Sequence, residues 1–231
     1  MCRKHLILAF TVLLAITLAG CGFKQLMPSK KVPPLEGYST IVLLPFDFDK
    51  PVAEYETVPT QVSYSIGTKL TVRHQDKIWS YDQSQEVKPV SEKLTELNMS
   101  PKDIFEDPLT ATKVAEVFQA DLIIVGKLDD PKFTREDSGK VKYDMQNTSA
   151  IGADRFYTIH QTAILPSKIK VIDAKANQVI WDGTVIGYRK YETDYRTGSP
   201  KKFMSDETMM ADIRKDLVAK VVEKLYPKPK P

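Results

Sequence analysis

The chain has 231 residues, with 33 basic against 30 acidic side chains for a formal charge of +3, 42% apolar residues and two cysteines. Near-neutrality argues against a nucleic-acid partner, which requires a concentrated basic excess. The length and apolar content suit one domain with a buried core, on the usual scale of roughly 100–200 residues per domain. Both cysteines, Cys2 and Cys21, lie near the N-terminus, which leaves no thiol further on for a disulfide, a metal or a nucleophile.

Arg3 and Lys4 precede a thirteen-residue apolar run, Leu6 to Leu18, which leads into Leu18-Ala19-Gly20-Cys21. A basic start and a short apolar stretch make a secretory signal peptide, and the run is too short for a permanent span. Leu-Ala-Gly-Cys resembles the bacterial lipobox, which implies removal of residues 1–20, acylation of Cys21 (palmitate among the chains) and a lipid anchor. The alternative is an ordinary signal with an incidental cysteine. A single acyl chain binds a membrane marginally, whereas several on one residue hold firmly. Loss of residues 1–20 removes Arg3 and Lys4, leaving 31 basic against 30 acidic residues. In enteric bacteria an aspartate after the lipidated cysteine retains a lipoprotein at the inner membrane. Gly22 does not match that signal, so attachment to the outer membrane, on its periplasmic face, is expected. Residues 21–38 carry Pro28, Pro33 and Pro34 with Lys24, Lys30 and Lys31, and read as a flexible tether. Its lysines either touch anionic head groups or are simply solvated.

The β-branched run Ser39 to Phe46 predicts a buried strand. Val58, Val62, Ile66 and Leu70, four residues apart, predict one face of a helix starting near Pro59. Lys77-Ile78-Trp79 reads as a short strand, Pro89 to Leu97 as a helix ended by Asn98, and Ser100-Pro101 as a capped turn or short helix. Leu109, Ala111, Val114, Ala115 and Phe118 predict a further helix running into a second central strand, Asp121 to Leu128. Residues 129–158 read as a long polar loop, with at most a partial hairpin around Val141 and Tyr143. Strands about Tyr157 to Ile172 and Val179 to Tyr188 predict a hairpin, followed by a tyrosine-rich loop. Met210, Ile213, Leu217, Val221 and Leu225 predict a last helix, capped by Ser205 and stopped by Pro227, with 227–231 a solvated, disordered tail.

Three segments carry a family resemblance. They are Ile41-Val42-Leu43-Leu44-Pro45-Phe46, the unit from Thr112 to Gly126 ending in Ala120-Asp121-Leu122-Ile123-Ile124-Val125-Gly126, and Lys170 to Trp181 with its Ile172-Asp173-Ala174-Lys175-Ala176-Asn177-Gln178-Val179 turn. In this order they resemble the lipoprotein superfamily that contains the curli-secretion channel protein CsgG and the penicillin-binding-protein activator LpoB, whose domain is similar to the N-terminal domain of TolB. Over residues 39–226 the resemblance implies an α/β fold, a mixed β-sheet flanked by helices in a small sandwich. Two departures qualify it. Neither 129–158 nor 189–204 shows the alternating apolar residues of a membrane-crossing hairpin, which disfavours a channel. The tether is about fifteen residues and reaches roughly 50 Å fully extended, which argues against an activator that crosses the periplasm.

No catalytic residue, metal set or cofactor is expected. His74 and His160 stand apart from any ligand partner, no phosphate-binding glycine loop occurs, and Gly183 with Gly187 reads as close packing within a strand. The acidic pairs Asp129-Asp130 and Glu136-Asp137 read as solvated loop residues. For partner binding the candidates are Tyr188, Arg189, Tyr191, Tyr195, Arg196 and Phe203, since interleaved tyrosine and arginine dominate binding hot spots. The competing reading is a twisted strand end with ordinary exposed tyrosines. Phe133, Arg135, Tyr143, Arg155, Phe156 and Tyr157 join this surface if both polar stretches lie at one end of the sheet. The expected function is that of a non-catalytic, membrane-anchored accessory lipoprotein binding envelope proteins, oligomeric if it follows CsgG. The alternative is a regulator of a peptidoglycan synthase; an enzyme would require the loop carboxylates to converge.

Overall fold

A computed structural model describes residues 35, 37–74, 77–79, 88–143, 155–196 and 202–227. The expected signal segment, Cys21 and the tail beyond Pro227 lie outside them. In chain order the elements are β1 (Thr40–Leu43), β2 (Asp47–Phe48), α1 (Val58–His74), β3 (Lys77–Trp79), α2 (Lys88–Glu96), α3 (Pro101–Glu106) and α4 (Ala111–Phe118). They continue as β4 (Leu122–Leu128), β5 (Lys132–Tyr143), β6 (Arg155–Asp173), β7 (Gln178–Arg196) and α5 (Asp206–Leu225), with 3₁₀ turns at Ala53–Tyr55 and Pro108–Thr110.

The strands form one seven-stranded mixed sheet. β1 lies between β3 and β4, parallel to both, and β2 pairs with the end of β4. β4 pairs antiparallel with Ser167–Asp173 of β6, and β5 pairs with the other half, from Arg155 to Ile164. β7 runs antiparallel to β6 from Phe156 to Asp173, which occupies the opposite edge. Beyond β4 the sheet therefore continues as a three-stranded antiparallel arm, β5-β6-β7, roughly 30 Å long at about 3.3 Å per residue.

The core lies on both sides of the sheet because Ile41 to Leu44 and Leu122 to Val125 are apolar at every position. Ile41, Leu43, Leu122 and Ile124 face a cluster completed by α1 and α5, whereas Val42, Leu44, Ile123 and Val125 face Val90, Leu94, Ile104, Phe105 and Val114 of α2, α3 and α4. Side chains alternate across a strand, so a continuous β-branched run fills two cores at once. Local chemistry sets the ends. Ser100 and Asp103 make a reciprocal capping box at α3, Ser205 accepts from the Thr208 N–H at the start of α5, and Asn98 and Gln119 take left-handed φ after α2 and α4.

Two expectations are corrected. The stretch 129–158 is not an irregular loop: β5 occupies Lys132–Tyr143, and Glu136 and Asp137 are strand residues opposite His160 and Ile159. The hairpin is longer than expected at both ends, with nineteen residues in each of β6 and β7, so Tyr188 to Arg196 form strand rather than loop. Packing also begins before residue 39. Leu35, within the stretch read as tether, is fully buried in the α1/α5-side core, and the Tyr38 hydroxyl donates to Asp173 Oδ2 at 3.0 Å. Asp121 closes this entry point. It accepts from Ser39 N–H at 2.9 Å, Ser39 Oγ at 2.6 Å and Thr40 N–H at 3.2 Å, and pairs with Lys175. Lys175 and the Ser39 hydroxyl hold the Asp121 carboxyl well below the ordinary carboxylate range, outweighing burial.

Candidate functional site

The arm has two unlike faces. Along β7 the odd-numbered residues Trp181, Val185, Gly187 and Tyr191 turn toward α5, and the even-numbered ones point away. The six candidate residues are therefore divided. On the α5 side the Tyr191 hydroxyl donates to Asp212 Oδ2 at 3.0 Å, and burial, reinforced by that bond, pushes its pKa up to about 12. Arg189 Nη2 lies 4.0 Å from Asp216 Oδ1. Asp216 also accepts from the Tyr188 backbone N–H at 2.9 Å and from Lys220 at 2.7 Å. Burial alone would raise the Asp216 carboxyl, but these donors hold it below its ordinary value. Tyr195, half-buried, stands opposite Tyr157, and exposed Arg196 opposite Phe156.

Phe203 is brought to the arm from the segment that precedes α5. The Arg135 guanidinium lies 5.7 Å from its ring centroid and also pairs with Asp206. Buried Gln161 fixes this segment, donating to the Met204 carbonyl at 3.2 Å and accepting from the Met204 N–H at 2.9 Å. The second group of candidates thus shares the arm with the first, since Phe133 and Arg135 lie in β5, Phe156 and Tyr157 in β6. Phe133 is turned inward, 6.0 Å from the Tyr55 ring, and packs on the core.

The face pointing away from α5 carries an apolar patch of which only Tyr188 was among the residues expected from the sequence. Tyr188 pairs across the ladder with Ile164, and Ile186 with Pro166. Ile186 and Tyr188 are 46% and 44% exposed, respectively. Lys132, opposite Ile164 on the third strand, borders the patch together with Lys190 and Lys168; Lys168 pairs with Asp129 at 3.3 Å and Lys190 with Glu192 at 2.8 Å. His160 Nδ1 lies 3.3 Å from Glu192 Oε1, and Thr158 donates to Asp194 at 2.6 Å. Continuing the period-two reading of β6 and β7 past Leu165 and Val185 is the signal that would have found Ile164 and Ile186.

The acidic pairs do not converge. Asp129 and Asp130 line a hollow of about 280 Å³ with Asp49, Lys50, Lys132 and Pro166, where acids alternate with lysines. Glu136 and Asp137 lie on β5. Among the described residues no group of three or more His, Cys, Asp or Glu side chains is placed to hold a metal, and no helix is long and apolar enough to cross a membrane. Chemically, the arm offers apolar contact, aromatic rings and cations on a rigid ladder.

Together these elements define an α/β domain with a mixed sheet flanked by helices and an antiparallel arm that leaves one face open. No family model matches the chain, and no curated protein matches it. Among solved structures it is similar to lipoprotein GNA1162 from Neisseria meningitidis, at 11% identity and a TM-score of 0.42, over 80% of this chain and 99% of that one. A PelC dodecamer from Paraburkholderia phytofirmans matches at 11% identity and a TM-score of 0.37, over 85% and 94%. The LpoB C-terminal domain from Salmonella enterica matches at 12% identity and a TM-score of 0.34, over 64% and 81%. Likenesses of this size carry no statement about function.

Proposed function

We propose that the chain is a non-catalytic lipoprotein, anchored through Cys21 to the periplasmic face of the outer membrane, that binds envelope proteins through the open face of its arm. The observation that carries this reading is the Ile164, Pro166, Ile186 and Tyr188 patch with its border of lysines. Apolar side chains exposed together on a rigid sheet face, next to cations, form an interaction surface. Tyr191, hydrogen-bonded to Asp212, and Arg189, 4.0 Å from Asp216, support that surface from the α5 side.

The test is in-cell crosslinking followed by membrane pull-down, comparing the wild type with an Ile186→Ser, Tyr188→Ala variant. Both side chains are exposed, so the variant should fold with an unchanged melting temperature. Loss of a discrete envelope protein in the variant supports the reading, and retention of every partner refutes it. If the protein recovered is a peptidoglycan synthase whose rate in purified form rises on addition of the wild-type domain, the regulator reading is selected.

A further inference from the structure

The opposite side of the molecule carries a second feature. α1 and α5 pack side by side over the sheet, and two adjoining hollows lie between them, of about 360 Å³ and 530 Å³. Gln61 and Arg214 line both, so the hollows form one groove. Thr60, Tyr64 and Ser65, all uncharged, complete the first; Tyr55, Met210 and the two acids Glu54 and Glu207 are among the residues of the second.

Three observations describe what this groove accepts. The outer surface of α1 is depleted of charge, with no Asp, Glu, Lys, Arg or His from Val58 to Thr68. Gln61, Tyr64, Ser65, Thr68 and Val72 recur at three- and four-residue intervals and so form one stripe, in which Tyr64 is 44% and Val72 77% exposed. A solvent-facing helix ordinarily carries charge there, and charge depletion with exposed tyrosine marks the centre of a protein contact. Arg214 is the third observation. Of the arginines whose side chains are described, Arg135 pairs with Asp206, Arg189 with Asp216, and Arg196 also has a partner. Among the described residues Arg214 has none, although Glu207 lies two turns before it on the same helix. A half-buried guanidinium has five donors in a planar fork that matches a carboxylate.

We infer that the α1/α5 groove binds an acidic segment of a partner protein. Its carboxylate forms a bidentate pair with Arg214 above the uncharged Thr60-Gln61-Tyr64-Ser65 hollow, and a neighbouring apolar side chain rests against Tyr55 and Met210. This surface is independent of the arm face, because α5 covers the other side of the sheet from Ile186 and Tyr188.

The experiment places a photo-crosslinking phenylalanine analogue at Gln61 in the full chain, in its native envelope, and identifies the crosslinked peptide by mass spectrometry. That peptide is then synthesised, fluorescently labelled, and titrated by anisotropy against the wild type and Arg214→Gln. The expected result is a segment of another protein with Asp or Glu within a few residues of the crosslink. Arg214→Gln, melting with the wild type, should bind it at least about tenfold more weakly. Changing the peptide's acid to its amide should give a similar loss, with no further loss when both changes are combined. The crosslink should persist in the Ile186→Ser, Tyr188→Ala variant, which separates this inference from the arm reading. No crosslink, crosslinks only between copies of this chain, a segment without an acid, or equal affinity for Arg214→Gln would each overturn it.

Discussion

Replacing Gly187 with alanine tests how closely the arm is bound to the helical layer. A Cβ built at Gly187 would lie 2.5 Å from the Ile213 carbonyl oxygen, 2.9 Å from Leu217 Cβ and 3.3 Å from the Leu217 nitrogen. Two of these are α5 backbone atoms, which no rotamer change can move aside. Relief to ordinary contact distance requires α5 to shift outward by roughly 1 Å, loosening Met209, Ile213, Leu217 and Val221, all fully buried. Overpacking of this kind costs about 1–3 kcal/mol, and rigid backbone on the opposing side places Gly187→Ala at about 2–3 kcal/mol. For a domain of this size each kcal/mol shifts the melting temperature by roughly 2–4 °C, so a fall of about 4–12 °C is expected in thermal denaturation followed by circular dichroism. Gly37 serves as the control, since nothing lies within 4 Å of a Cβ there. If Gly187→Ala melts with the wild type and with Gly37→Ala, the close approach of β7 and α5 is refuted.

Asp121→Asn removes the charged acceptor for Ser39 and Thr40 and should cost about 2 kcal/mol, on the scale of hydrogen bonds to charged groups. Because the folded carboxyl titrates below its unfolded value, its stabilisation is complete above about pH 4 and is lost as the pH falls further. Urea midpoints of the wild type should drop more steeply than those of Asp121→Asn below pH 4, and parallel curves would contradict the assignment. Tyr55 and Tyr191, both raised to about 12, keep their protons when the unfolded chain loses them near pH 10, so stability should decline between pH 10 and 12. Tyr191→Phe should shallow that decline and lower neutral-pH stability by about 1 kcal/mol, read from denaturant midpoints; an unchanged alkaline slope would refute the burial of the Tyr191 hydroxyl against Asp212. Cys21→Ser should move the protein from the membrane to the soluble fraction on cell fractionation, and persistence at the membrane would refute the lipid anchor.

The central sheet was legible because its chemistry is saturated. Ile41 to Leu44 and Leu122 to Val125 are apolar at every position, and four-residue spacing from Val58 to Leu70 admits only a helix. Ser100, Asn98 and Ser205 marked helix ends through the backbone groups that they satisfy or the φ that they tolerate. The arm was hidden because its outer face is solvated and its inner face is only partly packed. Tyr, Thr, Lys, Glu and Asp then alternate without the contrast in hydrophobicity that reveals a strand, and strand propensity alone, as in Tyr191 to Arg196, is a weak signal. The same weakness scattered the site. Tyr188 was legible as an exposed side chain, whereas the turning of Tyr191 toward Asp212 depends on strand parity relative to a helix fifteen or more residues away. The α1/α5 groove leaves no trace in the sequence beyond the missing charges on α1, because its walls come from opposite ends of the chain.

The way in which the chain enters the domain has a mechanical consequence. Leu35 and the Ser39-Thr40 contacts of Asp121 secure the N-terminal side of β1, a central strand bonded along both edges to the parallel strands β3 and β4. The arm projects from the opposite pole, past Leu128. If the membrane pulls at one pole and a bound protein at the other, the load runs along the strands and divides among many ladder bonds in shear, rather than opening them one at a time from an edge.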